Sequence, residues 1–415
     1  MNNLKKYKLD ELYEMGSGIS STKEHAGHGY PFASFSTVFN NIFLPNELKD
    51  LMDTSEEQRE TSSIREGDVL ITRTSETSDE LAMSCVSLRD YPNATFSGFV
   101  KRLRPITKGI ANPKYMAFYL RSSYFRKLIN ANTIMTLRAS FNEDIFSFLD
   151  IYLPEYNTQE KIGEFLYLIE EKIKNNNKIN NNLAKQIEAI YDYWFMQFNY
   201  PDTNGKPYKA SGGSMVYSDI LKRNIPESFS VHGLLELVNW ESNSQPPKSE
   251  FVYEPKKGYV RFIQNRDYDS SDHVTYIPYK PNLSIVNKLD ILIDKYGDAG
   301  ATRYGIEGAF NVALGKINVH AEYQLEYIRS FLSSKSIYDY LHNSCMASTR
   351  ASLSEANLEP IKIPLPPIEV LNNFQTLVHK LRISILHNIE ENQKLTTLRN
   401  ELLPVLMNGQ ATIDD

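Results

Sequence analysis

Residues 176–183 read "NNKINNNL", and with Asn175 the run holds six asparagines in nine positions. Asparagine is a poor helix former that usually marks turns, yet this run interrupts a periodic apolar segment. Alternating steps of four and three through it give Ile162, Leu166, Ile169, Ile173, Asn176, Asn180, Leu183, Ile187, Ile190 and Trp194. That is a heptad seam, apolar except at two adjacent central positions. A second seam runs through Phe374, Val378, Leu381, Ile385, Asn388, Asn392, Leu395, Arg399, Leu402 and Leu406. Its asparagines occupy the same two places, 212 residues on (Asn176 to Asn388, Asn180 to Asn392).

A polar residue in such a seam costs stability but fixes register, because a slipped alignment would bury an unpaired amide against leucine. Such asparagines also suit any helical hairpin or a homodimeric zipper. Two helices of matched length and matched defects in one chain are most simply partners of each other. The expectation is therefore an antiparallel intramolecular coiled coil registered by Asn176, Asn180, Asn388 and Asn392, with Asn175, Asn177, Asn181 and Asn182 facing solvent. Each helix is expected to start just after proline, at Pro154 and at Pro366–Pro367, with Asn157 and Glu160 as a capping pair in the first. Arg399 breaks the second seam, and "NGQAT" from Asn408 ends its helix.

The duplication extends beyond the helices. "LRASFNEDIFSFLDIYLP" (137–154) superposes on "TRASLSEANLEPIKIPLP" (349–366), with Arg138 on Arg350, Ser140 on Ser352 and Leu153 on Leu365. Upstream the same offset sets Met116 on Ile328, Leu120 on Leu332, Ser122 on Ser334, Phe125 on Ile337 and Ile129 on Leu341. Further back "GDVLI" (67–71) meets "LDILI" (289–293) 222 residues on, so the first half carries about ten extra residues after this strand. Strand-like runs ("DVLIT", "YVRFI", "HVTYI", "DILI") alternate with helical ones ("PKYMAFYLRSSYFRKLIN", "YQLEYIRSFLSSKSIYDYLHN"). The fold class is α+β: two pseudo-repeated domains of mixed sheet and helix, 1–155 and 226–366, each followed by a long helix, 156–198 and 367–410. Residues 199–225, with the turn-rich "YPDTNGKPYKASGGSM", are expected to be a linker.

Of the 415 residues, 41% are hydrophobic and 23% charged, an ordinary globular balance, and the net charge is −6. Cys85 and Cys345 have no partner at metal or disulfide spacing, which fits a reducing cytosol. Neither an export signal nor a membrane span is expected, since no apolar run approaches about 18 residues. Acidic residues crowd Glu47 to Glu80, whereas Tyr91 to Ser140 holds no Asp or Glu and nine Lys or Arg, so one face is expected to be positive. Chemistry is missing from the sequence. There is no GxxxxGK[ST] phosphate loop, no NPPY or DPPY tetrapeptide, and no carboxylate cluster with a nearby lysine. "GDAGATRYG" (297–305) reads as a loop; His25 and His28 in "HAGHG" lack further ligands, and His232, His273, His320 and His342 are isolated. No catalytic residue and no metal site are assigned.

With these pieces in order, the chain resembles the specificity subunit of type I restriction-modification systems. The residues that carry the resemblance are the duplicated "LP" leading into long helices ("IYLPEYNTQEKIGEFL", "IPLPPIEVLNNFQTLV"), the terminal "LRNELLPVLMNGQATI", and "NSQPPKSEFVYEPKKGYVRFIQNRDY". It covers nearly the whole chain. Two departures stand out: Asn243 replaces a glycine that often precedes "SQPP", and the first half has "EMGSGISSTKE" in place of that element. The resemblance implies two target recognition domains, each reading half of a bipartite double-stranded DNA site, with the helices setting the spacer. It also implies docking of two modification (methyltransferase) subunits, which hold S-adenosylmethionine and methylate adenine, and then restriction subunits. This subunit itself would bind no cofactor and work in the cytoplasm, at the nucleoid of a bacterium or archaeon. A helix from Ile162 to Trp194 would be roughly 50 Å long, or about 15 base pairs.

Bases are read by side chains that reach their edges, whereas cations on phosphate supply salt-dependent affinity. The candidates in the first domain are Ser17, Ser20, Arg73, Thr74, Lys101, Arg102, Arg104 and Arg138; in the second they are Ser244, Gln245, Arg261, Gln264, Asn265, Arg266, Thr302 and Arg303. Arg350 repeats Arg138, which suggests a shared phosphate contact or a structural ion pair. Tyr30, Phe32 and Phe262 are expected in the core. A two-domain adaptor that binds proteins is the rival reading, separated from this one by co-purification with a subunit bearing DPPY or NPPY. A fused methyltransferase-nuclease lacks the residues it would need.

Overall fold

The computed structural model describes residues 4–20, 24–75, 80–132, 139–269, 273–346 and 352–413. They form two compact units, Met1–Lys174 with Asn392–Asp415, and Asn175–Glu391. In the first unit a four-stranded antiparallel sheet is built from β1 (Tyr13–Ser17), β2 (Val69–Thr72), β3 (Ser84–Val86) and β4 (Val100–Pro105), in the order β1-β4-β2-β3. The run Val69–Thr72 is buried at every residue, which is why it reads as continuous rather than alternating. A smaller sheet sets Ala26–Ala33 between Asp50–Met52, antiparallel, and Thr95–Phe96, parallel. Lys5–Lys8 pairs with Asp150–Leu153 at the base.

The second unit repeats this plan. Its sheet runs β5 (Val238–Ser242), β8 (Leu314–Val319), β6 (Ile291–Asp294), β7 (Thr302–Arg303). Tyr259–Ile263 lies between Tyr276–Pro278, antiparallel, and Gly308–Phe310, parallel. Ser230–Gly233 pairs with Lys362–Leu365. One strand is added: Ile285–Val286 joins the outer side of Gly308–Phe310.

Each of the two helical runs holds two helices. Pro113–Tyr119 is followed by Ser123–Asn132, and Leu325–Ser333 by Lys335–Met346. The breaks fall at Ser122 and Ser334, whose hydroxyls donate to the carbonyls of Tyr119 and Phe331, both at 2.7 Å. A serine that bonds the backbone three residues back competes with the helical ladder. Apolar spacing survives the break and hides it.

The long helices are α1 (Tyr156–Tyr191) and α2 (Ile368–Met407). Helix α1 begins at Tyr156, so Asn157 sits inside the first turn rather than capping it. The local anchor is Gln159, a buried amide that accepts from the Asn112 N–H (2.9 Å) and donates to the carbonyls of Ile110 (2.9 Å) and Pro154 (2.8 Å). In the first unit Ile162 and Leu166 of α1 join Leu406 and Met407 of α2 in one core. There the Asn392 amide reaches the Ile173 carbonyl at 3.5 Å, and Arg399, the break in the second seam, pairs with Glu170. In the second unit the Asn388 amide donates to the Asn180 side-chain oxygen (2.8 Å), and Asn180 donates to the Ile385 carbonyl (3.3 Å). Asn176, 1% exposed, donates to Glu391 at 2.7 Å. Partner numbers fall as α1 numbers rise, so the helices run antiparallel in each unit. Asn175, Asn177, Asn181 and Asn182 are exposed.

The stretch 199–225 is folded rather than loose. After one wide helical turn, Asp192–Met196, Tyr200 stacks on Tyr208 (4.8 Å between ring centres) and Phe229 (5.4 Å), and Met215–Ser218 pairs with Arg223–Pro226 as a hairpin. Aromatic residues among the turn formers explain why this segment packs onto its unit.

Candidate nucleic-acid interface

In the first unit the sheet's open edge is where Ser17 ends β1 and Lys101 sits opposite it on β4. The Lys101 ammonium donates to the Ser17 hydroxyl at 2.9 Å. Beyond Ser17 the chain passes close to another turn: Ile19 N–H donates to the Phe96 carbonyl (2.9 Å) and Gly98 N–H to the Ile19 carbonyl (2.6 Å). A Cβ at Gly18 would lie 2.2 Å from the Ser97 carbonyl oxygen, so only glycine fits there. Ser20 is exposed just past this contact. The same turn presents Phe99, 57% exposed. Arg73 follows β2 with its N–H donating to the Phe99 carbonyl (2.8 Å), and Thr74 pairs with Ser140. Five of the first domain's candidates, Ser17, Ser20, Arg73, Thr74 and Lys101, thus lie around one turn, and Phe99 belongs with them. An exposed phenylalanine between glycine and valine carries no signal in the sequence.

In the second unit the equivalent strand ends are furnished differently. Ser242 faces Gly315 where Ser17 faces Lys101, and a Cβ on Gly315 would strike the Trp240 ring at 2.4 Å. Asn243 replaces Gly18. Its amide donates to the Ser284 carbonyl (3.1 Å) and its side-chain oxygen accepts from the Ser244 N–H (2.9 Å), so it holds the residue just before the strand that the first unit lacks. Ser244 and Gln245 are exposed beside it. Asn265 donates to the Tyr296 carbonyl (3.4 Å), which brings the 264–266 cluster to the end of β6.

A family model of the type I restriction modification DNA specificity domain matches residues 1–185 and again 226–404. The chain belongs to this family. Among curated relatives, the type I restriction enzyme MjaIX specificity subunit of Methanocaldococcus jannaschii is 22% identical over 428 residues, covering 98% of this chain and 93% of the relative. The HindI specificity subunit of Haemophilus influenzae is 22% identical over 477 residues, covering 99% and 100%. The crystal structure of a type I S subunit from M. genitalium matches with a TM-score of 0.63 at 15% identity, covering 100% of this chain and 97% of that one, which bears on the fold. The protein is a specificity subunit, a non-catalytic component devoted to DNA sequence recognition.

Several cations expected to reach DNA are used inside this specificity-subunit fold. Arg104 grips the buried Asp68 through Nε (2.8 Å) and Nη2 (2.6 Å), and that carboxylate raises the arginine's pKa. Arg102 donates to the carbonyls of Thr61 (3.1 Å) and Ser63 (2.7 Å); burial, and then Arg104 beside it, lower its pKa. Arg303 holds the buried Asp294 at 2.8 Å and reaches Asp298 at 3.3 Å. Thr302 is hydrogen-bonded to Ser333, and Gln264 donates to Thr275 at 2.9 Å. Arg261 lies 3.6 Å from the buried Asp267, and Arg266, exposed, 4.0 Å from it. Arg138 and Arg350 lie outside the described residues. The basic stretch 91–140 is partly absorbed as well. Lys114 pairs with Glu164, and Arg121 donates to the carbonyls of Ser84, Val38, Phe39 and Asn41, closing the end of the helix Phe35–Asn40.

Phe32 and Phe262 are buried, at 4% and 0% exposure. Tyr30 is not in the core: it is 37% exposed, with the Arg59 guanidinium 3.9 Å above its ring. Among the described residues no three His, Cys, Asp or Glu side chains are placed to hold a metal ion, and no helix is long and apolar enough to cross a membrane.

Proposed function

We propose that each unit reads one half of a bipartite DNA site, while α1 and α2 fix the number of base pairs between the halves and dock modification subunits. The observation that carries this reading is a single strand order used twice with different residues at the same strand ends. A scaffold held constant while its exposed ends diverge suits two readers of unlike sequence. The seam asparagines would hold the spacing by penalising a slipped helix pair. The modification subunits would supply S-adenosylmethionine and the methyl transfer to adenine, with restriction subunits joining that complex; this chain would bind the DNA and no cofactor.

The test is to co-express the chain with its modification subunits and map methylated adenines across the host genome. Two short motifs separated by a fixed unspecified spacer are expected. One continuous motif without a spacer would overturn the reading.

A further inference from the structure

Each unit carries a cation at one equivalent place that the sequence did not single out as a pair, exposed in the first and half-buried in the second. Arg73 and Lys295 each follow the last residue of the central strand, β2 or β6. In the first unit Arg73 N–H donates to the Phe99 carbonyl at 2.8 Å, and its own carbonyl accepts from Phe141 N–H at 2.8 Å. In the second Lys295 N–H donates to the Ala313 carbonyl at 2.8 Å, and its carbonyl accepts from Leu353 N–H at 3.0 Å. Both residues are therefore pinned by the backbone from two sides, at equivalent places in the fold. Neither side chain has a partner among the described residues. The residue before each, Thr72 or Asp294, is buried, so the cation marks where the strand meets the surface.

The surroundings differ. Beside Arg73 lie Phe99 and the Lys101–Ser17 pair. Beside Lys295 lie Tyr296, 46% exposed, and Asn265. Arg102 and Lys316 also occupy equivalent places, but Lys316 is 3.0 Å from Asp290 and Arg102 is bound to backbone carbonyls, so both are used internally. A positive charge kept at one place, within a frame whose neighbouring residues have diverged, fits the part of DNA that is identical at every site. That part is the phosphate.

We infer that Arg73 and Lys295 are equivalent phosphodiester contacts, one per unit, and that base reading is left to the dissimilar residues flanking each. This rests on the DNA-recognition reading above. The test uses the complex with its modification subunits, and compares wild type with Arg73→Gln, Lys295→Gln, Arg73→Lys and Lys295→Arg. Affinity is measured over a salt series on a duplex bearing the mapped motif and on a scrambled duplex. Each glutamine variant is expected to weaken both duplexes by the same factor and to make the slope of log affinity against log salt shallower by about one. The cation-preserving variants should keep the wild-type slope, and the methylated motif should not change. Unchanged slopes in both glutamine variants, or an altered motif, would overturn the inference while DNA recognition stands. A wild-type complex that binds neither duplex would remove the underlying reading, and the inference with it.

Discussion

The two units solve one packing problem with different interiors. Where the second unit buries Glu326 and Arg329, the first has Lys114 and Ala117, 212 residues earlier. Glu326, fully buried, lies 3.1 Å from Arg382 and 3.6 Å from Arg329, and both guanidiniums stand over the Tyr304 ring, at 4.4 and 5.1 Å. Burial, partly offset by Glu326, pulls Arg329 down to about 10. The first unit keeps its charge at the rim, where Lys114 meets Glu164 with both side chains partly exposed. A shared backbone plan thus does not impose a shared core chemistry, because strand order depends on where apolar runs fall and not on which polar groups are enclosed.

The largest expected effect breaks that contrast. Glu326→Ala leaves two buried cations facing each other, and should cost about 3–5 kcal/mol in urea unfolding. Lys114→Ala removes a partly exposed pair and should cost less than about 1 kcal/mol. Equal losses would show that the triad is no more demanding than a rim contact. Next comes the turn beyond the first strand: Gly18→Ala drives a methyl group into the Ser97 backbone, for a loss of about 1–3 kcal/mol. Asn243→Ala at the matching place gives up hydrogen bonds and should lose about 1 kcal/mol.

The helix seam offers a third comparison, by double-mutant cycle. Asn180→Leu alone leaves the Asn388 amide without its acceptor and Asn388→Leu alone leaves the Asn180 side-chain oxygen without its donor, at about 1–3 kcal/mol each, and the double variant should recover most of that. Purely additive losses would mean that the pair is not coupled. The smallest effect is a silence: Cys85 and Cys345 are buried thiols, the first pushed up to about 12 by burial and the second also raised. Neither should react with iodoacetamide at pH 8 while folded, since both side chains are buried and burial disfavours the thiolate. If labelling appears as urea is added, the cysteine that reacts first names the unit that opens first.

Much of the fold was legible because its signals are local and written twice. The seam from Ile162, the strand Val69–Thr72 and the proline-led helix starts each rest on spacing within a dozen residues. The paired serine breaks were less visible, since Ser122 and Ser334 interrupt helices without interrupting apolar spacing. The interface was legible in composition and not in detail. Arg73, Lys101 and Arg104 look alike in the sequence, yet Arg104 is claimed by an aspartate 36 residues earlier, Lys101 rests against Ser17, and Arg73 is exposed with no side-chain partner among the described residues.

What the amino-acid order determined alone was the duplication, the paired long helices and the α+β plan, because hydrophobic period and repeat offset need no knowledge of distant partners. Only the tertiary structure decided which charges remain at the surface. A guanidinium near a buried carboxylate is held by it, and that proximity depends on how strands far apart in sequence are laid side by side.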